Sequence, residues 1–134
     1  MHGAEHEHTL GAIHNLAATH SQMGNGHLAL PLEQEVVDAR RGDGHADTLL
    51  AIGNLAATYN ELYEFERALP LRKEAVKGYR RLLGKKHEDT LASVHNLAGL
   101  LMKQGKLDEA EPLMRRALAG SEAKLGADHP STLQ

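Results

Sequence analysis

The chain has 134 residues, no cysteine, no tryptophan, only four other aromatics and a net charge of −3. That length fits a single domain, and the absence of cysteine excludes a disulfide, a thiolate metal ligand or a thiol nucleophile. The mild negative charge offers nothing to a polyanion, and with so few aromatics the core must come from Leu, Ala, Val and Met.

The first segment to stand out is His6-Glu7-His8-Thr9-Leu10. It returns as His45-Ala46-Asp47-Thr48-Leu49, as His87-Glu88-Asp89-Thr90-Leu91 and as His129-Pro130-Ser131-Thr132-Leu133. Thr48, Thr90 and Thr132 are 42 residues apart, and Thr9 precedes Thr48 by 39. A fixed period of this size marks tandem units, each burying its apolar face on the next. The boundaries fall at about 6–44, 45–86 and 87–128, with the start of a fourth unit at 129–134.

In the first unit Asn15-Leu16-Ala17 and Ala29-Leu30-Pro31-Leu32 hold the common register. Three residues are then missing before Gly42, close to one helical turn, so the second helix of this unit should be about a turn shorter. In the second unit Leu49, Ile52, Leu55, Ala56 and Tyr59 recur at spacings of three and four, the apolar stripe of a helix. Asp47 and Thr48 suit its first turn. A turn at Leu62 to Glu64 follows. A second stripe then runs through Phe65, Ala68, Leu69, the stem of Arg72, Ala75, Val76, Tyr79 and Leu82 or Leu83. The matching turns Met23-Gly24-Asn25 and Gln104-Gly105-Lys106 carry glycine, which closes a helix at positive φ. Gly42, Gly84 and Gly126 are expected to end the second helices. Pro31, Pro70 and Pro112 recur a few residues into those helices, where each removes at most one backbone bond.

Glycines inside the predicted helices (Gly11, Gly53, Gly78, Gly99, Gly120) cost about 1 kcal/mol each relative to alanine and permit close helix approach. Modest stability is expected. No period-two segment is present. The fold class is therefore all-α: antiparallel helix pairs stacked in a right-handed superhelical array, an α-solenoid of three repeats plus the start of a fourth, with one concave face.

The phrase Leu55-Ala56, then Tyr59, a turn, Ala68 and Ala75 resembles the tetratricopeptide repeat. The third unit repeats it with Gly105, Ala110 and Ala117. The 42-residue length, the Asp-Thr-Leu opening and the run from Glu109 to Leu118 are similar to the kinesin light chain branch of that family. Departures occur where His20 and Leu101 replace Tyr59, and where Gly26 stands for Phe65 and Leu107. No heptad segment or nucleotide-binding loop accompanies the repeats, so the resemblance implies only a cargo-binding array.

It also implies that the first helix of each unit lines the concave groove. Off the buried stripe, those helices present Asn15, Asn54 and Asn96 as a ladder. An amide both donates and accepts, so it can pair with the backbone of an extended peptide without demanding a sequence. Asn60 lies on the same face, and the small residues Ala18, Ala57 and Gly99 leave room for ligand side chains. His14, His95 and Lys103 would meet acidic groups, with Glu61 opposing them. The alternative role for the asparagines is to cap or bridge helices within the stack.

Other chemistry is poorly supported. His45, His87 and His129 stand one helix pair apart, roughly 20 Å, and cannot share one ion, so helix-start capping is their expected role. His2, His6 and His8 form only a His-rich end. The basic residues of the second helices alternate with Glu74, Glu109, Glu111 and Glu122, a solvated face with local ion pairs. No serine sits in a Gly-x-Ser-x-Gly setting. No run approaches 18 apolar residues, and no signal-peptide core is present, which is compatible with a cytoplasmic location. The expected function is thus a non-catalytic scaffold that holds a peptide of a partner protein, with no cofactor, metal, nucleic acid or membrane. The alternative is a self-associating repeat array that stacks end to end through apolar residues such as Leu113 and Leu118.

Overall fold

The computed structural model describes the backbone of residues 4–41 and 46–128 and the side chains of 9–41 and 46–123. Among the described residues there are six helices and no strand: α1 (Ala4–Gln22), α2 (Gly26–Arg40), α3 (Ala46–Glu61), α4 (Phe65–Leu83), α5 (Glu88–Lys103) and α6 (Leu107–Asp128). Short turns join them into consecutive pairs, as the two apolar stripes per unit predict. Backbone contacts divide the chain into two compact units, Met1–Leu71 and Arg72–Gln134.

In the first unit α1 packs on α2 and α2 on α3. Each stripe residue of α3 is buried: Leu49, Ile52, Leu55, Ala56 and Tyr59. A second face of α3 is buried as well, through Thr48, Ala51 and Thr58. Thr48 Oγ1 donates to the Arg40 carbonyl at 3.1 Å, which ties the start of α3 to the end of α2. The expected shortening of α2 is present, at 15 residues against 19 in α4. Gly26 is buried because a Cβ there would lie 3.2 Å from Leu62 Cδ2 and 3.6 Å from Thr58 Cγ2. Glycine replaces the bulk of Phe65 and Leu107 here so that the α3 end can approach. His20, at the Tyr59 position, keeps a buried Nδ1 with no hydrogen-bond partner among the described residues.

In the second unit α5 packs on α6. Leu91, Val94, Leu97, Ala98 and Leu101 are buried on α5, and Ala110 and Ala117 on α6. His87 caps α5, its Nδ1 accepting from the Asp89 N–H at 3.1 Å. Burial, with Asp89 adding to it, holds the Tyr79 phenol above its usual range.

Several expectations need correction. Leu82 and Leu83, read as stripe residues, are exposed at the end of α4. Met23 and Met102 are exposed too, so the core is Leu, Ala, Val and Ile. Gly84 ends α4 at φ +88°, but Gly126 does not end α6, which continues to Asp128. A glycine weakens a helix without forbidding it. Gly42 lies outside the described residues. Close helix approach is seen at Gly120, whereas nothing lies within 4 Å of a Cβ at Gly11, Gly53 or Gly99. Pro31, Pro70 and Pro112 each take the sixth position of their helix and are exposed, and the helices run on through them.

The turns share one backbone device. Gly24 and Gly105 adopt φ of +79° and +78°, and Tyr63 takes the same place at +62°. A Cβ in the left-handed region costs roughly 1–2 kcal/mol. The Tyr63 ring is exposed and only meets Phe65 edge-on, with centroids 6.0 Å apart. Tyr63→Gly is therefore expected to stabilise the chain by about 1 kcal/mol. A thermal melt that shows no rise would mean that the ring contact offsets the backbone strain.

Candidate functional site

The asparagines of the first helices are free to act. Asn15, Asn54 and Asn96 are exposed on α1, α3 and α5, one or two residues before buried stripe positions. Thr19 Oγ1 donates to the Asn15 backbone carbonyl at 3.0 Å, and Thr58 Oγ1 lies 3.1 Å from the Asn54 carbonyl. These bonds engage the backbone, and the three side-chain amides have no hydrogen bond within the chain among the described residues. The role of bridging helices thus finds no support. His14, His95 and Lys103 are exposed beside them, and Ala18, Ala57 and Gly99 are half-buried. Asn60 is half-buried, and its Oδ1 is buried without a partner.

In the first unit the structure brings several of these residues together around one cavity of about 210 Å³. His14, Ala18, Ser21 and Gln22 of α1 form one wall. Asn54, Ala57 and Thr58 of α3 form another, and Glu33 of α2 is the charged group among them. Asn15 and Asn60 do not line it. His95, Asn96, Gly99 and Lys103 belong to α5, in the second unit.

Glu33 was not legible as a site residue. It is only 8 % exposed. Its Oε1 accepts from Thr58 Oγ1 at 2.5 Å, and the same hydroxyl also faces the Asn54 carbonyl. The single hydroxyl proton is shared between the two acceptors, a three-centre arrangement. Burial pushes the Glu33 carboxyl above its ordinary range, the Thr58 hydrogen bond opposes this, and the charge of Glu61 adds to it. The signal that could have revealed it is register. Glu33 occupies in α2 the place that Arg72 takes in α4 and Met114 in α6, an inward position. Arg72 is half-buried there, and burial lowers its pKa.

A carboxyl with a raised native pKa costs no stability below 4.5, its unfolded value, where it is neutral in both states. Its cost grows as pH rises from there to the native value, the range in which the unfolded state alone ionises, and is fully present above it. Glu33→Gln keeps an acceptor for Thr58 and removes that charge. The variant is expected to melt above the parent at pH 7.5, with the gap closing below pH 4.5. Parallel melting curves at both pH values would refute this.

The remaining groups are dispersed. His87 is a helix cap; His2, His45 and His129 lie outside the described residues, as do the side chains of His6 and His8. Among the described residues no group of three or more His, Asp or Glu could hold a metal ion. On the outer faces Arg115 pairs with Glu111 at 2.7 Å and Arg67 with Glu64 at 3.6 Å, exposed pairs of small energetic weight. No described helix is long and apolar enough to cross a membrane.

The profile of the tetratricopeptide repeat family matches residues 9–41, 48–89 and 90–131. No curated protein matches the chain. Among solved structures, a substituted form of a Podosopora anserina protein with nearly identical TPR-like repeats, assigned to the kinesin light chains, is similar with a TM-score of 0.79 and 29 % identity over 98 % of this chain. A second crystal structure of that Podosopora anserina protein gives 0.77 and 29 % over 96 %. BtubC (BKLC) from P. vanneervenii gives 0.76 and 26 % over 82 %. The chain spans 63 % of each of the first two structures and 44 % of the third.

Proposed function

The chain belongs to the tetratricopeptide repeat family, and from that premise we propose that it is a non-catalytic scaffold whose first helices hold a peptide segment of a partner protein. The observation that carries this reading is the state of Asn15, Asn54 and Asn96. Three amides in one repeat register are exposed and bond to nothing within the chain among the described residues. Exposed amides can receive the N–H and C=O groups of an extended chain, and each such bond is worth about 1 kcal/mol. Ala18 and Ala57 in the first unit and Gly99 in the second leave space beside the amides. In the second unit Lys103 supplies positive charge and His95 a ring N–H donor for acidic groups of the ligand.

The test is selection from a peptide library, followed by affinity measurement with Asn15, Asn54 and Asn96 all changed to alanine. A loss of at least tenfold is expected with the helical circular dichroism unchanged, given about 1 kcal/mol per bond. Unaltered affinity would remove the asparagines from the binding surface.

A second reading is favoured by α6, where Leu107 and Leu118 are 61 % and 60 % exposed. Self-association through that helix would cover them. Light scattering across a concentration series tests it, since a strict monomer at high concentration is incompatible with it.

A further inference from the structure

Glu33 is the one acidic residue lining the cavity of the first unit, and His14 is the one basic group there. Glu33 Oε1 is engaged by Thr58, while Oε2 has neither a hydrogen bond nor an ion pair among the described residues. No lysine or arginine lines the cavity. Glu61 adds negative potential at Glu33. Oε2 is not one of the buried atoms left without a partner, so it is open to solvent at the cavity. The helix-pair fold does not demand an acid at this position, since Met114 fills the same register in α6. The accessible oxygen of an otherwise buried carboxylate is therefore within reach of a partner from outside the chain.

We propose that this cavity is a subsite for one cationic side chain, the guanidinium of an arginine in the bound peptide, with Glu33 Oε2 as its counter-charge. The proposal rests on the peptide-binding reading above and names the residue type that this unit selects. The lining residues suit a planar fork of N–H donors: Ser21, Gln22 and Asn54 all carry side-chain oxygens able to accept. Ala18 and Ala57 are small and apolar, so the methylene stem of an arginine can lie against them. Lysine offers the same charge with fewer donors and a more strongly hydrated head, and should rank second. An acidic ligand side chain would face the charge of Glu33, with that of Glu61 adding to the repulsion, and is excluded here.

The direct test is a heteronuclear NMR titration at pH 7.5 with N-acetyl-arginine amide, using the neutral isostere N-acetyl-citrulline amide as the control. The arginine probe should move the backbone amides of Ala18, Ala57 and Thr58 in a saturable way. The citrulline probe should bind at least fivefold more weakly, and Glu33→Gln, expected to be at least as stable as the parent, should abolish the difference. Equal responses to the two probes, an unchanged response in E33Q, or no movement of those amides would each overturn the subsite. Library selection reads the underlying function separately. Retained peptides that lack arginine and ignore E33Q would leave peptide binding standing and refute the subsite. A cavity that takes the arginine probe while no peptide is retained would support the subsite and refute the peptide-binding reading.

Discussion

Leu55→Ala is expected to cost about 3 kcal/mol, which corresponds to a fall in Tm of roughly 10 °C for a chain of this size. Leu55 is fully buried at the centre of the α3 stripe, between Ile52 and Tyr59. The loss has two parts, the transfer free energy of the missing carbons and the cavity they leave. Collapse into that cavity is restricted because α3 is buried on two faces, and Thr48 and Thr58 pin it to α2 by hydrogen bonds. Urea unfolding measures the change directly. A loss under about 1 kcal/mol would mean that the stripe is not the core, since leucine truncation in packed interiors costs more.

Gly120→Val is the complementary case, in which added volume rather than lost volume does the damage. A Cβ at Gly120 would lie 2.6 Å from Leu91 Cδ2, 3.0 Å from Cδ1 and 3.3 Å from Cγ. Leu91 is 6 % exposed and has no open side to swing into. Valine adds two further methyl groups to that contact. Overpacking of this kind costs about 1–3 kcal/mol, more than the few tenths that valine recovers in helix propensity. A net loss of about 2 kcal/mol is expected. Leu91→Ala should relieve it, so that the two changes together cost less than their sum. Additive effects in the double variant would show that α5 and α6 do not meet at this pair.

The elements that were legible in the sequence share a physical cause. The α3 stripe repeats at helical spacing, and its register recurs in each unit, so periodicity alone located it. Glycine at positions 24 and 105 marked turns that need positive φ. Tyr63 performs the same turn without glycine, and no local signal discloses a strained tyrosine. The second buried face of α3 and α5 was missed because it is built from Thr48, Thr58, Thr90 and Ser93, small polar residues that hydropathy reads as surface. A helix packed between two neighbours buries both sides, and short hydroxyl side chains fit the closer one; Thr48, Thr58 and Ser93 donate to backbone carbonyls, while the buried Thr90 hydroxyl has no partner among the described residues. Leu82 and Leu83 erred in the other direction, apolar residues at a helix end with nothing described over them.

The candidate site was half legible. The exposed asparagines and the small residues beside them followed from helix geometry once the buried stripe was known. The buried carboxyl was not, because a single glutamate in a charged helix looks like any solvated residue. Only the comparison of Glu33 with Arg72 and Met114 across the repeats marks it as inward-facing, and only the cavity gives that inward charge something to meet.

The side-chain amide resonances of Asn15, Asn54 and Asn96 offer the most decisive measurement. With a library-selected peptide at saturation, all three should shift together while the amide of Gln34, on α2, stays in place. Three unmoved asparagine signals in the presence of a peptide that binds would contradict the assignment of the first helices as the surface that holds another chain.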